Sequence, residues 1–190
     1  MSQAQQQLKK NFDKQGYTPG ASKLKCVLWY VMSLMFFKSG VIPFSNVLVY
    51  ILRAFGASIG AGVRIKPFIH IKYPWKLTVG NNCWLSDCYI ENLDGVVIAN
   101  NVCVSQQAML LTGNHNYKMS SFDLITSGIV LENGTWIGAK AIICPGVKVK
   151  SHSIIFAGSV LTKDSEPYCI YQGNPALLIR KRLINDNLVR

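Results

Sequence analysis

Residues 131–161 read LENGTWIGAKAIICPGVKVKSHSIIFAGSVL, and their spacing decides the fold. Leu131, Ile137, Ile143, Val149, Ile155 and Leu161 stand six apart. Four places after each leader comes a small or apolar residue: Thr135, Ala141, Val147, Ser153 and Ser159. An amphipathic helix repeats near 3.6 residues and a half-buried strand every two, so neither produces this period. A short strand followed by a tight turn does, with the leaders lining one interior column. Gly, Asn and Pro at the corners supply the dihedrals such turns need. One rung cannot bury its apolar side alone, so the rungs must stack into an all-β solenoid.

Upstream the rule holds with interruptions. Ile59, Ile65 and Ile71 keep the period; it shifts at Tyr73-Pro74-Trp75 and resumes at Val79 and Leu85. It shifts again near Asn92-Leu93-Asp94 and resumes at Ile98, Val104 and Leu110. The next gap, Leu110 to Leu131, is 21 residues where multiples of six give 18 or 24. Residues of about 112–128 therefore include an excursion from the wall, and a polar loop on a rigid frame is where chemistry tends to be held. The organisation read from this is a 1–56 N-terminal segment, a 57–165 solenoid carrying the excursion, and a 166–190 C-terminal extension ending in a short helix.

Charged residues make up 15% of the chain and hydrophobic residues 49%, which excludes a disordered chain. The net charge of +11, with basic residues concentrated in the N-terminal third and at Arg180-Lys181-Arg182, favours anionic partners. Nucleic acid is disfavoured, because no aromatic-interleaved basic motif accompanies the charge. Six cysteines form no CxxC pair and no zinc-like spacing with histidine, which predicts reduced thiols in a cytoplasmic compartment. The Asn133-Gly134-Thr135 sequon is too short a match to carry weight.

Residues 1–21 are polar, with Lys9, Lys10 and Lys14. Leu24, Val27, Leu28, Val31, Leu34 and Met35 then form a helical stripe, and Val41 to Phe55 suits a second helix with Pro43 near its start. The run is too short to span a bilayer, and no cleavage site follows it. The two helices suit a cap on the solenoid's open end, and equally a hairpin over residues 24–55 on an acidic membrane surface.

Several ordered motifs resemble the hexapeptide-repeat acyltransferases. They are Ile137-Gly138-Ala139-Lys140-Ala141 through Pro145-Gly146-Val147, then Ala157-Gly158-Ser159-Val160-Leu161-Thr162-Lys163-Asp164, then Gly173-Asn174-Pro175-Ala176. The resemblance covers roughly Phe55 to Arg182. It implies a left-handed parallel β-helix of triangular section, a homotrimer, and acetyl-CoA as donor; the hand comes from the resemblance and not from the period. Arg53-Ala54-Phe55-Gly56-Ala57, Tyr73-Pro74-Trp75-Lys76-Leu77-Thr78 and Thr112-Gly113-Asn114-His115-Asn116-Tyr117 are similar to the colanic-acid-biosynthesis type of O-acetyltransferase. That branch implies acetylation of a sugar hydroxyl in surface polysaccharide synthesis, in the cytoplasm or at the inner face of the membrane.

His115 lies in the excursion, and a neutral imidazole can take a proton from a sugar hydroxyl. The resemblance makes it the general base. It also implies that the Ala139 N–H donates to the oxyanion, that Trp136 walls the site (an outward-facing tryptophan at a trimer contact is the other reading), and that Gly138, Ala157, Gly158, Thr162 and Lys163 meet the donor. Arg180 is a further candidate for the donor's phosphates, whereas Lys181 reads as part of a solvated basic helix. Asp87 and Asn92 are candidates for the acceptor, with Glu91 and Asp94 as substitutes, and all four also suit ordinary turns. A zinc site of three histidines is the rival reading. His70 and His152 are 45 and 37 residues from His115, without the closely spaced pair such sites use, so no metal is expected. The alternative to an enzyme is a catalytically silent trimer or membrane-docking protein on the same scaffold.

Overall fold

The computed structural model describes residues 5, 6, 8 and 16–185. The basic residues Lys9, Lys10 and Lys14 lie outside the described residues, as does the last part of the C-terminal extension.

The wall is a parallel β-solenoid with three faces. The first face stacks Ser58–Ile59, Leu77–Val79, Val96–Ile98, Ile129–Leu131 and Lys148–Val149. The second stacks Arg64–Ile65, Trp84–Leu85, Cys103–Val104, Trp136–Ile137, Ile154–Ile155 and Cys169–Gly173. The third stacks His70–Ile71, Tyr89–Glu91, Met109–Leu111, Ile142–Ile143 and Val160–Leu161. The leaders do not share one interior column, as the period alone suggests. Six residues carry the chain across one face and eighteen carry it round one rung, so they separate into three. Ile59, Val79, Ile98, Leu131 and Val149 form one column. Ile65, Leu85, Val104, Ile137, Ile155 and Tyr171 form the next. Ile71, Ile90, Leu110, Ile143 and Leu161 form the third. All are buried, and together they make a single core.

Both register shifts and the excursion fall at the same edge, where the third face turns into the first. They follow Ile71, Ile90 and Leu110, the third-face residues of three successive rungs. The first becomes a 3-10 turn, Pro74–Lys76. The excursion becomes an antiparallel hairpin of Gly113–His115 with Leu124–Thr126. Each insertion sits on the one below. The Tyr73 N–H donates to the Asn92 side chain at 2.9 Å, and the Thr112 hydroxyl donates to the Glu91 carbonyl at 2.6 Å. A side chain on Gly113 would meet Leu93 at 2.7 Å, so the hairpin leaves the wall where only glycine lets it lie against the rung beneath.

Two helices close the N-terminal end. Helix α1 (Lys23–Met32) starts where the Ser22 hydroxyl accepts the Lys25 N–H, and it runs on into a π-helical turn, Ser33–Lys38. Helix α2 (Ser45–Ala54) buries Leu48, Val49 and Leu52 against the first rung. Trp29 and Phe37 seal the end, with Trp29 Nε1–H donating to the Ile71 carbonyl at 3.1 Å. The apolar stripe of the sequence is not the buried side. Leu24, Val27, Leu28, Val31, Leu34 and Met35 are all exposed. The C-terminal segment also departs from expectation. Ala176–Lys181 is not a helix but a strand, antiparallel to Cys169–Gly173, because pairing satisfies the backbone left open at the edge of the second face.

Candidate active site

His115 sits on the hairpin at the third-to-first edge. Its Nδ1 lies 2.9 Å from the Phe122 carbonyl oxygen, and the two rings stack with centroids 4.4 Å apart. A carbonyl only accepts, so Nδ1 carries the proton and Nε2 presents its lone pair. Phe122 is a neighbour of this candidate residue that the sequence reading missed. Its role depends on the hairpin register, which pairs His115 with Leu124, and the local sequence carries no signal of that.

A second set of candidates lies at the edge between the second and third faces. Trp136, Gly138, Ala139 and Ala157 line a groove of about 440 Å³ there, with Ser105, Gln106 and Phe156. Trp136 is outward-facing and half exposed, and its Nε1–H donates to the Ser105 hydroxyl at 2.9 Å. Gln106, Ala139 and Ala157 hold equivalent positions on successive rungs. The Ala139 carbonyl accepts from Gly158 and the Gln106 carbonyl from Lys140, each at or below 2.9 Å. Their own N–H groups donate to nothing among the described residues. All three residues line the groove, so its edge carries a ladder of uncommitted N–H donors one rung apart. Gly138 is buried, and a Cβ on it would lie 2.6 Å from the Ala157 nitrogen. Its smallness therefore lets two rungs close and keeps the groove floor flat.

The remaining candidates divide between the edges. Thr162 and Lys163 follow Leu161 and share the edge of His115; both are exposed. Gly158 is exposed beside Ala157, with open space where a side chain would stand. Asp87 is half-buried on the groove's edge, one rung before Gln106, whose neighbour Gln107 donates to the Asp87 carbonyl at 3.2 Å. Asn92 is not available to a ligand. It is 0% exposed, and its amide exchanges hydrogen bonds with the Tyr73 backbone. Glu91 faces Lys72 at 3.8 Å, and Asp94 accepts the Gly95 N–H at 2.6 Å. Arg180 is exposed on the added strand, opposite Ile170, and Lys181 pairs with Glu166 at 3.3 Å.

One chain does not bring the two sets together. His115 and Ala139 are separated by the third face, about 15–20 Å of extended chain. His70 stacks on Tyr89 and His152 on Tyr168, each far along the chain from His115. Among the described residues, no three His, Cys, Asp or Glu side chains converge as a metal site would need.

No family model matches the chain. WcaF of Escherichia coli K12, assigned to colanic acid biosynthesis as an acetyltransferase, is 30% identical over 165 residues, covering 86% of this chain and 91% of WcaF. The chain belongs to this acetyltransferase family. The galactoside O-acetyltransferase of the same organism is 30% identical over 145 residues, covering 72% of this chain and 68% of that enzyme. A hexapeptide-repeat acetyltransferase from Vibrio cholerae, solved with acetyl coenzyme A, matches with a TM-score of 0.77 at 20% identity, over 87% of this chain and 92% of that one. The shared fold is the left-handed β-helix of the hexapeptide-repeat acetyltransferases.

Proposed function

We propose that this acetyltransferase moves an acetyl group from acetyl-CoA to a sugar hydroxyl in surface polysaccharide synthesis, at sites completed between the copies of a homotrimer. The observation that carries the reading is the fixed tautomer of His115. With Nδ1–H held by Phe122, Nε2 takes the proton of the sugar hydroxyl. The hydroxyl oxygen bonds to the thioester carbonyl carbon, and the negative charge moves to the carbonyl oxygen. The N–H of Ala139 stabilises that charge. Collapse breaks the carbon–sulfur bond, the thiolate recovers the proton from the imidazolium, and O-acetyl sugar and free CoA leave.

Attack needs the reacting atoms about 3–3.5 Å apart, far less than one face width. A neighbour therefore has to lay its His115 edge along the Ala139 groove. The ladder of N–H donors suits the amides of a pantetheine arm. Lys163 and Arg180, both exposed cations toward the C-terminal end, suit its phosphates. The donor is supported by the likeness to the Vibrio cholerae protein solved with acetyl coenzyme A, and the sugar acceptor by the names of WcaF and the galactoside enzyme.

No helix among the described residues is long and apolar enough to cross a membrane. We place the exposed stripe of α1 on the membrane interface instead. No Asp or Glu occurs between Asp13 and Asp87, while Lys23, Lys25 and Lys38 flank the stripe along the chain. An acidic lipid surface is the matching partner. Co-sedimentation with phosphatidylglycerol vesicles but not phosphatidylcholine vesicles is the expected result; equal recovery with both, or none, removes this contact.

The test of the activity is thiol release from acetyl-CoA with a panel of free, nucleotide-linked and lipid-linked sugars. Release should depend on an acceptor and fall by about two to four orders of magnitude in His115→Ala. A His115→Ala enzyme as fast as the wild type would remove His115 as the base.

A further inference from the structure

The donor groove does not end at Gln106. Ser105 and Gln106 also line a second cavity, of about 550 Å³, lower on the same edge. Its other walls include Arg64, Lys66, Trp84 and Ser86, with Pro43 and Ser45 at the start of α2. Arg64 and Trp84 are register partners on successive rungs, and the guanidinium lies 5.7 Å from the Trp84 ring centre. Lys66 is two residues from Arg64 and points to the same outer side. Neither cation faces a carboxylate within ion-pair distance among the described residues. Trp84 is 57% exposed, so with Arg64 over one side of its ring much of the indole still meets solvent.

Two uncompensated cations beside an open indole form a site for a phosphorylated sugar. Arg and Lys hold phosphate oxygens by charge-assisted hydrogen bonds. The indole face offers an apolar plate to the C–H face of a sugar ring. Distance fixes the order. From the Ala139 rung to the Lys66 rung are three rung spacings, about 14 Å, the room a mono- or disaccharide fills. Beyond Lys66 the surface changes character. Phe44, beside Pro43, is 69% exposed, and Phe68, beside Pro67, is 63% exposed. They lead onto the apolar outer side of the two helices, where Val41, Val47 and Tyr50 are also exposed.

From these observations we infer that the Arg64–Lys66–Trp84 cavity binds the acceptor as a lipid diphosphate-linked sugar. The sugar lies on Trp84, the diphosphate lies between Arg64 and Lys66, and the hydrocarbon leaves past Phe44 and Phe68. This rests on the reading of the Ala139 groove as the acetyl-donor site. It makes the helical cap part of substrate recognition, since the tail runs along the surface that meets the lipid.

The test is calorimetric titration of the full chain with farnesyl diphosphate, farnesol, inorganic pyrophosphate and UDP-glucose. Farnesyl diphosphate should bind tightest, and Arg64→Gln/Lys66→Gln should weaken it by about a hundredfold or more, the usual size of two charge-assisted contacts. Lys66→Gln alone leaves the Arg64–Trp84 stack in place and should show a smaller loss in the same direction. Far-UV circular dichroism and a matching melt establish that the variants are folded. Unchanged farnesyl diphosphate binding in both folded variants overturns the site. UDP-glucose or pyrophosphate binding as tightly as farnesyl diphosphate overturns the lipid assignment. Binding is read without acetyl transfer, so a failure here with acceptor-dependent thiol release intact leaves the proposed activity standing.

Discussion

The His115 ring lies almost parallel to that of Phe122, 5° apart, while its Nδ1 sits 2.9 Å from the Phe122 carbonyl oxygen. One residue thus fixes both the plane and the tautomer of the imidazole. Phe122 holds a positive φ of 51°, and that turn is what aims its carbonyl back at the ring. Phe122→Ala keeps the carbonyl but removes the stacked ring. The expected outcome is a kcat lower by roughly ten- to a hundredfold, the scale of a misplaced catalytic group. KM for acetyl-CoA should hold, because the groove proposed for the donor lies on another edge. Steady-state kinetics that vary both substrates separate the two; a rise in donor KM with kcat unchanged would contradict the assignment.

The separation of His115 from Ala139 makes complementation possible. On the proposed roles, His115→Ala lacks the base and Ala157→Trp fills the groove, so each variant alone should be inactive. In trimers assembled from an equal mixture, about a quarter of the inter-subunit sites combine an intact groove with an intact base. Co-expressed and co-purified, the mixture should recover about that share of the wild-type rate. A mixture as inactive as its parents would mean that both halves must come from one chain.

Asn92 separates architecture from recognition. Its buried amide serves both the N–H and the carbonyl of Tyr73. Asn92→Leu leaves those two groups without partners, at a cost of about 2–4 kcal/mol. A lower urea midpoint with little change in acceptor KM is the expected pattern. An altered acceptor KM with an unchanged midpoint would restore Asn92 to the binding site.

His70 gives the cap a pH dependence. Burial, with Lys38 and Lys72 nearby, pushes it down from its ordinary 6.5 to about 4. Between those values the unfolded chain binds a proton that the folded chain refuses. Stability is therefore greatest above pH 6.5 and falls as the pH drops towards 4. His70→Gln cannot titrate, so its melting temperature should change less over that interval. A wild-type slope that the variant reproduces would assign the effect to other groups.

The period of six was enough to specify a stacked solenoid, because it is a local signal repeated along one wall. It also marked the excursion that carries His115, since an insertion breaks a period wherever it occurs. The resemblance supplied Ala139, Trp136 and Ala157, and the structure groups these three around one groove. Other properties were invisible in one dimension. Leu24, Val27 and Leu28 form a stripe at helical spacing, yet spacing does not say whether a stripe meets a core or faces outward. Trp29 and Phe37 fill the open end of the solenoid, and that packing turned the stripe away. Asn92 looked like a polar turn residue, and only stacking on Tyr73 made it a buried link. The C-terminal segment carried basic residues that suit a helix, but the unpaired edge at Cys169–Gly173 drew it into a strand. The sequence determined the repeat unit and the chemical groups it carries, because those depend on neighbours along the chain. The tertiary structure decided which edge each group occupies, because eighteen residues close one rung and set His115 and Ala139 on opposite sides of a face.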